Sequence, residues 1–100
     1  MGKPVTPSEV LEVLRRHKEE LSRRFGVSHL AVFGSTVRGE ATDESDVDIL
    51  VSFEGPATSE RYFGVLFYLE DLVGRPVDLV TDRALRPELR PYIEREAIGV

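Results

Sequence analysis

Val10, Leu11, Leu14, Leu21 and Phe25 fall on one stripe at intervals of three, four and seven, the period of an amphipathic helix. The segment opens with Thr6, Pro7 and, three after the threonine, Glu9, which is a capping box with proline at the first helical position. Gly26 supplies a left-handed stop. A first helix is therefore predicted, covering one face of a sheet. A second run at helical spacing, "SERYFGVLFYLEDLVGR" from Ser59 to Gly74, carries Tyr62, Phe63, Leu66, Leu69, Leu72 and Val73 on a wide apolar face. Between these helices, "SHLAVFGS" reads as a short buried strand ending in a tight turn, "STVRGEA" as a single helical turn or loop, and "SDVDILVSF" as a second strand. "RPVDLVT" is a third strand entered through Pro76, a residue that suits a strand's beginning. "RPELRPYIEREAIGV" reads as a short terminal helix, started or interrupted at Pro91. No repeat, linker or low-complexity tract breaks the chain. The predicted order is α-β-(turn)-β-α-β-α in one domain over residues 1–100, of the α/β (α+β) class.

Composition narrows the possibilities. One hundred residues make one modest core. With 41% hydrophobic and 31% charged residues the chain has the balance of a folded domain. It has no cysteine, so neither a disulfide framework nor a thiolate metal site is available. The first residues lack an apolar leader, and nowhere do ~18 apolar residues run together, so a cytoplasmic location is expected. Net charge is −5, from 13 Lys and Arg against 18 Asp and Glu, with no basic cluster. That argues against gripping a long polyanion and leaves open a single nucleotide bound through metal ions.

The stretch that the core pattern does not explain is "FGSTVRGEATDESDVDILV", residues 33–51. Strand alternation turns Val47, Ile49, Val51 and Phe53 one way and Asp46, Asp48, Leu50 and Ser52 the other. The two aspartates then share a face, their Cα atoms about 6.5–7 Å apart. Two ionised carboxylates this close repel, and one pKa rises, unless a cation lies between them. Magnesium takes oxygen from one or two carboxylates and completes its shell with water and substrate phosphate, so a nucleoside triphosphate is the expected third party. Upstream, Gly34 allows a sharp turn and a close approach to phosphate, while the Ser35 hydroxyl and neighbouring N–H groups can donate to it. A third acid, Asp78, stands in the third strand, and if the second and third strands are neighbours all three carboxylates face one point. Such a set suits two ions and an in-line displacement at phosphorus. Asp46 and Asp48 are assigned to both ions, and Asp78 to the activating ion and as base for the acceptor hydroxyl.

Gly34-Ser35, ten residues, then Asp46-Val47-Asp48, with Arg38-Gly39 and Ser45 between, resembles the minimal nucleotidyltransferases of the DNA polymerase beta superfamily. With "PVDLVT" and the ending "LRPELRPYIEREAI", the likeness covers nearly all of the chain after the first helix. The resemblance implies a small mixed sheet of three to four strands flanked by helices and magnesium-dependent transfer of a nucleoside monophosphate, with two Mg2+ ions and ATP as substrate. It also implies pairing with a HEPN-domain protein. In such pairs the nucleotidyltransferase resembles an MntA-type antitoxin that adenylylates a tyrosine of the HEPN toxin. On that likeness Gly34, Ser35 and Arg38 bind the nucleotide, Arg38 as phosphate contact or loop brace, while Asp46, Asp48 and Asp78 carry metal and catalysis.

Plainer readings exist for each feature. The aspartates could be a solvated edge that discourages aggregation, and Gly-Ser alone is only a turn. A calcium loop fails because Leu50 and Val51 replace an oxygen ligand and a glycine, and no Gly-Lys-Ser/Thr follows for a P-loop. Arg38 near two acids reads first as an ion-pair partner. His17 and His29 lack a second ligand at metal spacing, and "RRHKEELSRR" reads as a solvated face laced with pairs. Phe63, Phe67 and Tyr68 exceed what one helix face needs for a core, which reads first as a fully packed helix and otherwise as a partner surface. Two other function classes stand beside the enzyme: a non-catalytic subunit that occludes a HEPN partner, and a small-molecule nucleotidyltransferase.

Overall fold

Thr6 and Glu9 start the first helix by exchanging caps: the Glu9 N–H donates to the Thr6 hydroxyl at 3.2 Å, and the Thr6 N–H donates to the Glu9 carboxylate at 3.4 Å. Helix α1 then runs from Pro7 to Phe25 and ends at Gly26, whose φ of 73° is the left-handed conformation that glycine adopts at little cost. This is a computed structural model that describes residues 6–42 and 45–100, so the amino-terminal stretch read above for a leader lies outside the described residues.

From there the chain forms strand β1 (Val27–Phe33), the one-turn helix α2 (Ser35–Arg38) and strand β2 (Val47–Phe53). Helix α3 (Ser59–Val73) and strand β3 (Val77–Thr81) follow, then a single 3-10 turn over Asp82–Ala84, helix α4 (Arg90–Glu96) and the short strand β4 (Ile98–Gly99). The sheet has four strands in the order β3-β2-β1-β4. β1 lies antiparallel to both β2 and β4, while β2 and β3, joined through α3, are parallel. The mixed sheet flanked by helices agrees with the expectation.

One apolar layer holds α1 and α3 on the sheet. Val10, Leu11, Leu14 and Leu21 of α1 and Val65, Leu69 and Val73 of α3 share a buried cluster with Leu30, Val32, Val47, Ile49, Val51, Val77 and Leu79. Residues of β1, β2 and β3 contribute to that layer, those of β2 in strict alternation, so Asp48, Leu50 and Ser52 stand on the other face of β2. Burying this cluster is the main drive for folding, at about 25 cal/mol per Å² of apolar surface.

Three details differ from the expectation. Pairing of β2 starts at Val47, whose N–H donates to the Pro76 carbonyl at 3.0 Å, so Asp46 precedes the strand and does not belong to it. The face of α3 is turned so that Val65 is fully buried while Phe63 and Phe67 are 50% and 64% exposed, which leaves these two rings outside the core. The terminal segment is not helical throughout: α4 ends at Glu96, and Ile98 and Gly99 pair with Val32 and Ala31 to add an edge strand.

Candidate active site

The expected acids come from neighbouring strands. In the parallel register of β2 and β3, Asp48 lies directly opposite Asp78, each the second residue of its strand. On its other side Asp48 faces Phe33, the last residue of β1. The chain must therefore turn immediately beyond Phe33 and pass over the Asp48 side chain.

Gly34 makes that turn. Its φ of 76° and ψ of −151° lie in a region essentially reserved for glycine. The space is as restrictive as the backbone: a Cβ at this position would stand 2.0 Å from Asp48 Oδ2 and 2.8 Å from its Cγ. Glycine alone brings the backbone this near the carboxylate. Ser35 then begins α2, half-buried, and its hydroxyl has no hydrogen-bond partner among the described residues.

The electrostatics record how crowded the acids are. Burial, the charge of Asp78, a hydrogen bond with Asp78 and the charge of Asp46 push the Asp48 carboxyl up to about 6, and Arg38 offsets part of this. Asp48 and Asp78 are thus in contact, and Asp46, exposed just before β2, is within electrostatic reach. Among the described residues no group of three or more His, Cys, Asp or Glu side chains is drawn together tightly enough to hold a metal ion. What the structure brings together is a pair, with the third acid beside it. A pair short of positive charge fits magnesium, which takes one or two carboxylates and keeps its other positions for water and phosphate oxygen.

Arg38 projects from the end of α2 and is held at both ends of its guanidinium, by Glu40 at 2.5 Å and by Glu96 of α4 at 2.6 Å. These ion pairs are the contacts of a loop brace. Glu96 also accepts the Gly34 N–H at 3.0 Å. In the sequence Glu96 is marked only as an acid near the end of a helical segment. His17 bonds back to the Val13 carbonyl at 3.0 Å within α1, and His29 is exposed on β1, so neither joins the site.

A cavity of about 180 Å³ lies elsewhere, between Ser52, Phe53, Gly55, Thr81 and Asp82 at the carboxyl ends of β2 and β3. The acids occupy the amino ends of the same strands. The convergent carboxylates and the glycine bend give the amino end its chemistry.

Comparison with known proteins identifies the family. Residues 14–100 match the nucleotidyltransferase domain family. The protein adenylyltransferase MntA of Thermococcus cleftensis is 44% identical over 96 residues, covering 96% of this chain and 97% of its own. A solved minimal nucleotidyltransferase is 42% identical with a TM-score of 0.74, over 90% of this chain and 95% of that one. A toxin-antitoxin complex with AMP-PNP shares the fold at 21% identity and a TM-score of 0.69, over 84% of this chain and 69% of its own.

Proposed function

The chain is a nucleotidyltransferase belonging to the nucleotidyltransferase domain family, and from that premise we propose that it moves AMP from ATP onto a tyrosine hydroxyl of a HEPN-domain partner and so acts as an antitoxin in the cytoplasm. The observation that carries the reading is the Asp48–Asp78 pair lying directly under the Gly34 bend. The likeness to a protein adenylyltransferase at 44% identity supports adenylyl as the transferred group. The fold shared with a toxin-antitoxin complex supports a toxin as partner, and the outward Phe63–Phe67 stack, 6.2 Å between ring centroids, gives α3 an apolar surface to offer it.

Asp48 and Asp78, with Asp46, would hold magnesium, which when bound supplies neutralisation of the triphosphate's charge and polarisation of the acceptor hydroxyl. Ser35 donates its hydroxyl to phosphate oxygen, and Arg38 keeps α2 in place beneath it. Asp78, the more exposed of the pair, takes the acceptor's proton. A bond forms from the acceptor oxygen to the α-phosphorus as the bond from that phosphorus to the bridging oxygen breaks, and pyrophosphate leaves.

The test is incubation of the chain with ATP labelled at the α-phosphorus, magnesium and its co-purifying partner. Covalent label on a partner tyrosine, absent with Asp48→Asn, is the expected result. Stable binding of the partner without label would make the chain an occluding subunit, and label on a small molecule alone would move the acceptor class.

A further inference from the structure

We propose that Glu96 is a positioning residue for the nucleotide site: it fixes the Gly34 bend and Arg38 at once, and so ties the end of the chain to the phosphate loop. The proposal rests on the nucleotidyltransferase reading and adds to it a residue from α4.

One carboxylate does two jobs. Glu96 Oε2 accepts the Gly34 N–H at 3.0 Å, and Glu96 Oε1 accepts from Arg38 Nη1 at 2.6 Å. Gly34 opens α2 and Arg38 closes it, so both ends of this single turn are held by one side chain. A four-residue helix has too few internal bonds to hold its own shape, and something outside must define it. Charge-assisted bonds of this length are the stronger kind, and the Arg38 guanidinium holds Glu96 below the ordinary carboxylate range.

Glu96 is itself fixed from two directions. At the start of α4, Arg90 donates to the Asp82 carboxylate and carbonyl, both at 2.8 Å, which ties the helix to the turn after β3. Just beyond Glu96, Ile98 and Gly99 pair with Val32 and Ala31 of β1, and Lys18 of α1 donates to the Val100 carbonyl at 2.7 Å. The two-residue strand β4 therefore has a purpose that its length would not suggest. It registers Glu96 against the end of β1, where Gly34 begins.

A consequence for binding follows. The Gly34 N–H is already committed to Glu96, so the glycine serves the nucleotide through its shape. Donation falls to Ser35 and to the backbone beyond it. Loss of Glu96 frees the bend to move over Asp48 and frees Arg38 from α4, and the phosphate loop is no longer preorganised.

The test compares wild type, Glu96→Ala and Glu96→Gln by amide hydrogen exchange and by affinity for magnesium and AMP-PNP. Exchange is measured without nucleotide or metal. Glu96→Ala should raise exchange at the Gly34 amide about tenfold and weaken AMP-PNP binding about tenfold, the loss expected for a charged hydrogen bond. Glu96→Gln keeps an acceptor for Gly34 and should restore amide protection, while Arg38 keeps Glu40 but loses its charged partner on α4, and binding stays at least threefold weaker. Equal Gly34 exchange or equal affinity in a folded Glu96→Ala protein would overturn the proposal; should that variant not fold, unchanged affinity in Glu96→Gln would do the same. If wild type itself fails to bind AMP-PNP while Gly34 exchange still follows Glu96, the tie stands and the nucleotide reading fails.

Discussion

Asp48 and Asp78 face each other across the parallel β2–β3 pair, second residue against second residue. Nothing in the packing of the core requires such a pair. The cost is visible in Asp48, raised from 3.8 to about 6. A site that pays stability for close negative charge is arranged for a positive ligand.

That cost sets a pH dependence for the metal-free protein. Between roughly pH 4 and pH 6 the native chain keeps a proton on Asp48 that the unfolded chain has released, so stability falls as pH rises through this window and stays low above it. Because the site is half open to water, the effect is about 1 kcal/mol, or about 4–8 °C in Tm. Thermal melts in a chelator from pH 4 to pH 8 should show the Tm of wild type falling relative to that of Asp48→Asn, and millimolar magnesium at pH 8 should raise the wild-type Tm alone. A wild-type Tm that rises relative to Asp48→Asn across the same window would contradict the assignment.

Gly34→Ala should damage site and backbone together. The alanine methyl would be placed 2.0 Å from Asp48 Oδ2 on a backbone with φ of 76°, and such a conformation costs a residue other than glycine about 1–3 kcal/mol. The variant should melt earlier, and at a temperature where it is folded its adenylyl transfer should fall about 100-fold through misplacement of the carboxylate. Retained activity with unchanged Tm would show that the bend is not tight.

Gly64→Ala is a test of the α1–α3 contact, remote from the acids. Alanine improves helix propensity by about 1 kcal/mol, but its Cβ would lie 2.5 Å from Cε1 and 3.0 Å from Cδ1 of the Phe25 ring. Overpacking should win, with a net loss of about 1–2 kcal/mol in urea melts. Combining it with Phe25→Leu should recover most of that loss; a Gly64→Ala protein more stable than wild type would mean that the ring moves aside freely.

Much of this was legible in the sequence because it is local. The Thr6–Glu9 capping box, the Gly26 stop and the alternation that puts Asp48 opposite the Ile49 face depend only on neighbours along the chain. Asp78 could be placed beside Asp48 once two short apolar strands flanked one helix. Features that depend on distant partners could not be read. β4 has two residues and exists through its pairing with Ala31 and Val32. Glu96 meets Gly34 across 62 residues, and no spacing rule reaches that far. Asp46 was placed inside β2 because its type alternates correctly, but the ladder begins one residue later, at the Val47 bond to Pro76. Phe63 fitted a helical stripe, and only the rotation of α3 on the sheet reveals that it points to solvent.

The central claim is that the amino ends of β2 and β3, beneath the Gly34 bend, hold the nucleotide. A crystal structure of the chain with magnesium and AMP-PNP tests it most directly. Metal density is expected between the Asp48 and Asp78 carboxylates, with a phosphate oxygen within hydrogen-bond distance of the Ser35 hydroxyl. A nucleotide seated instead in the cavity by Ser52 and Thr81, with no metal density at Asp48 and Asp78, would contradict it.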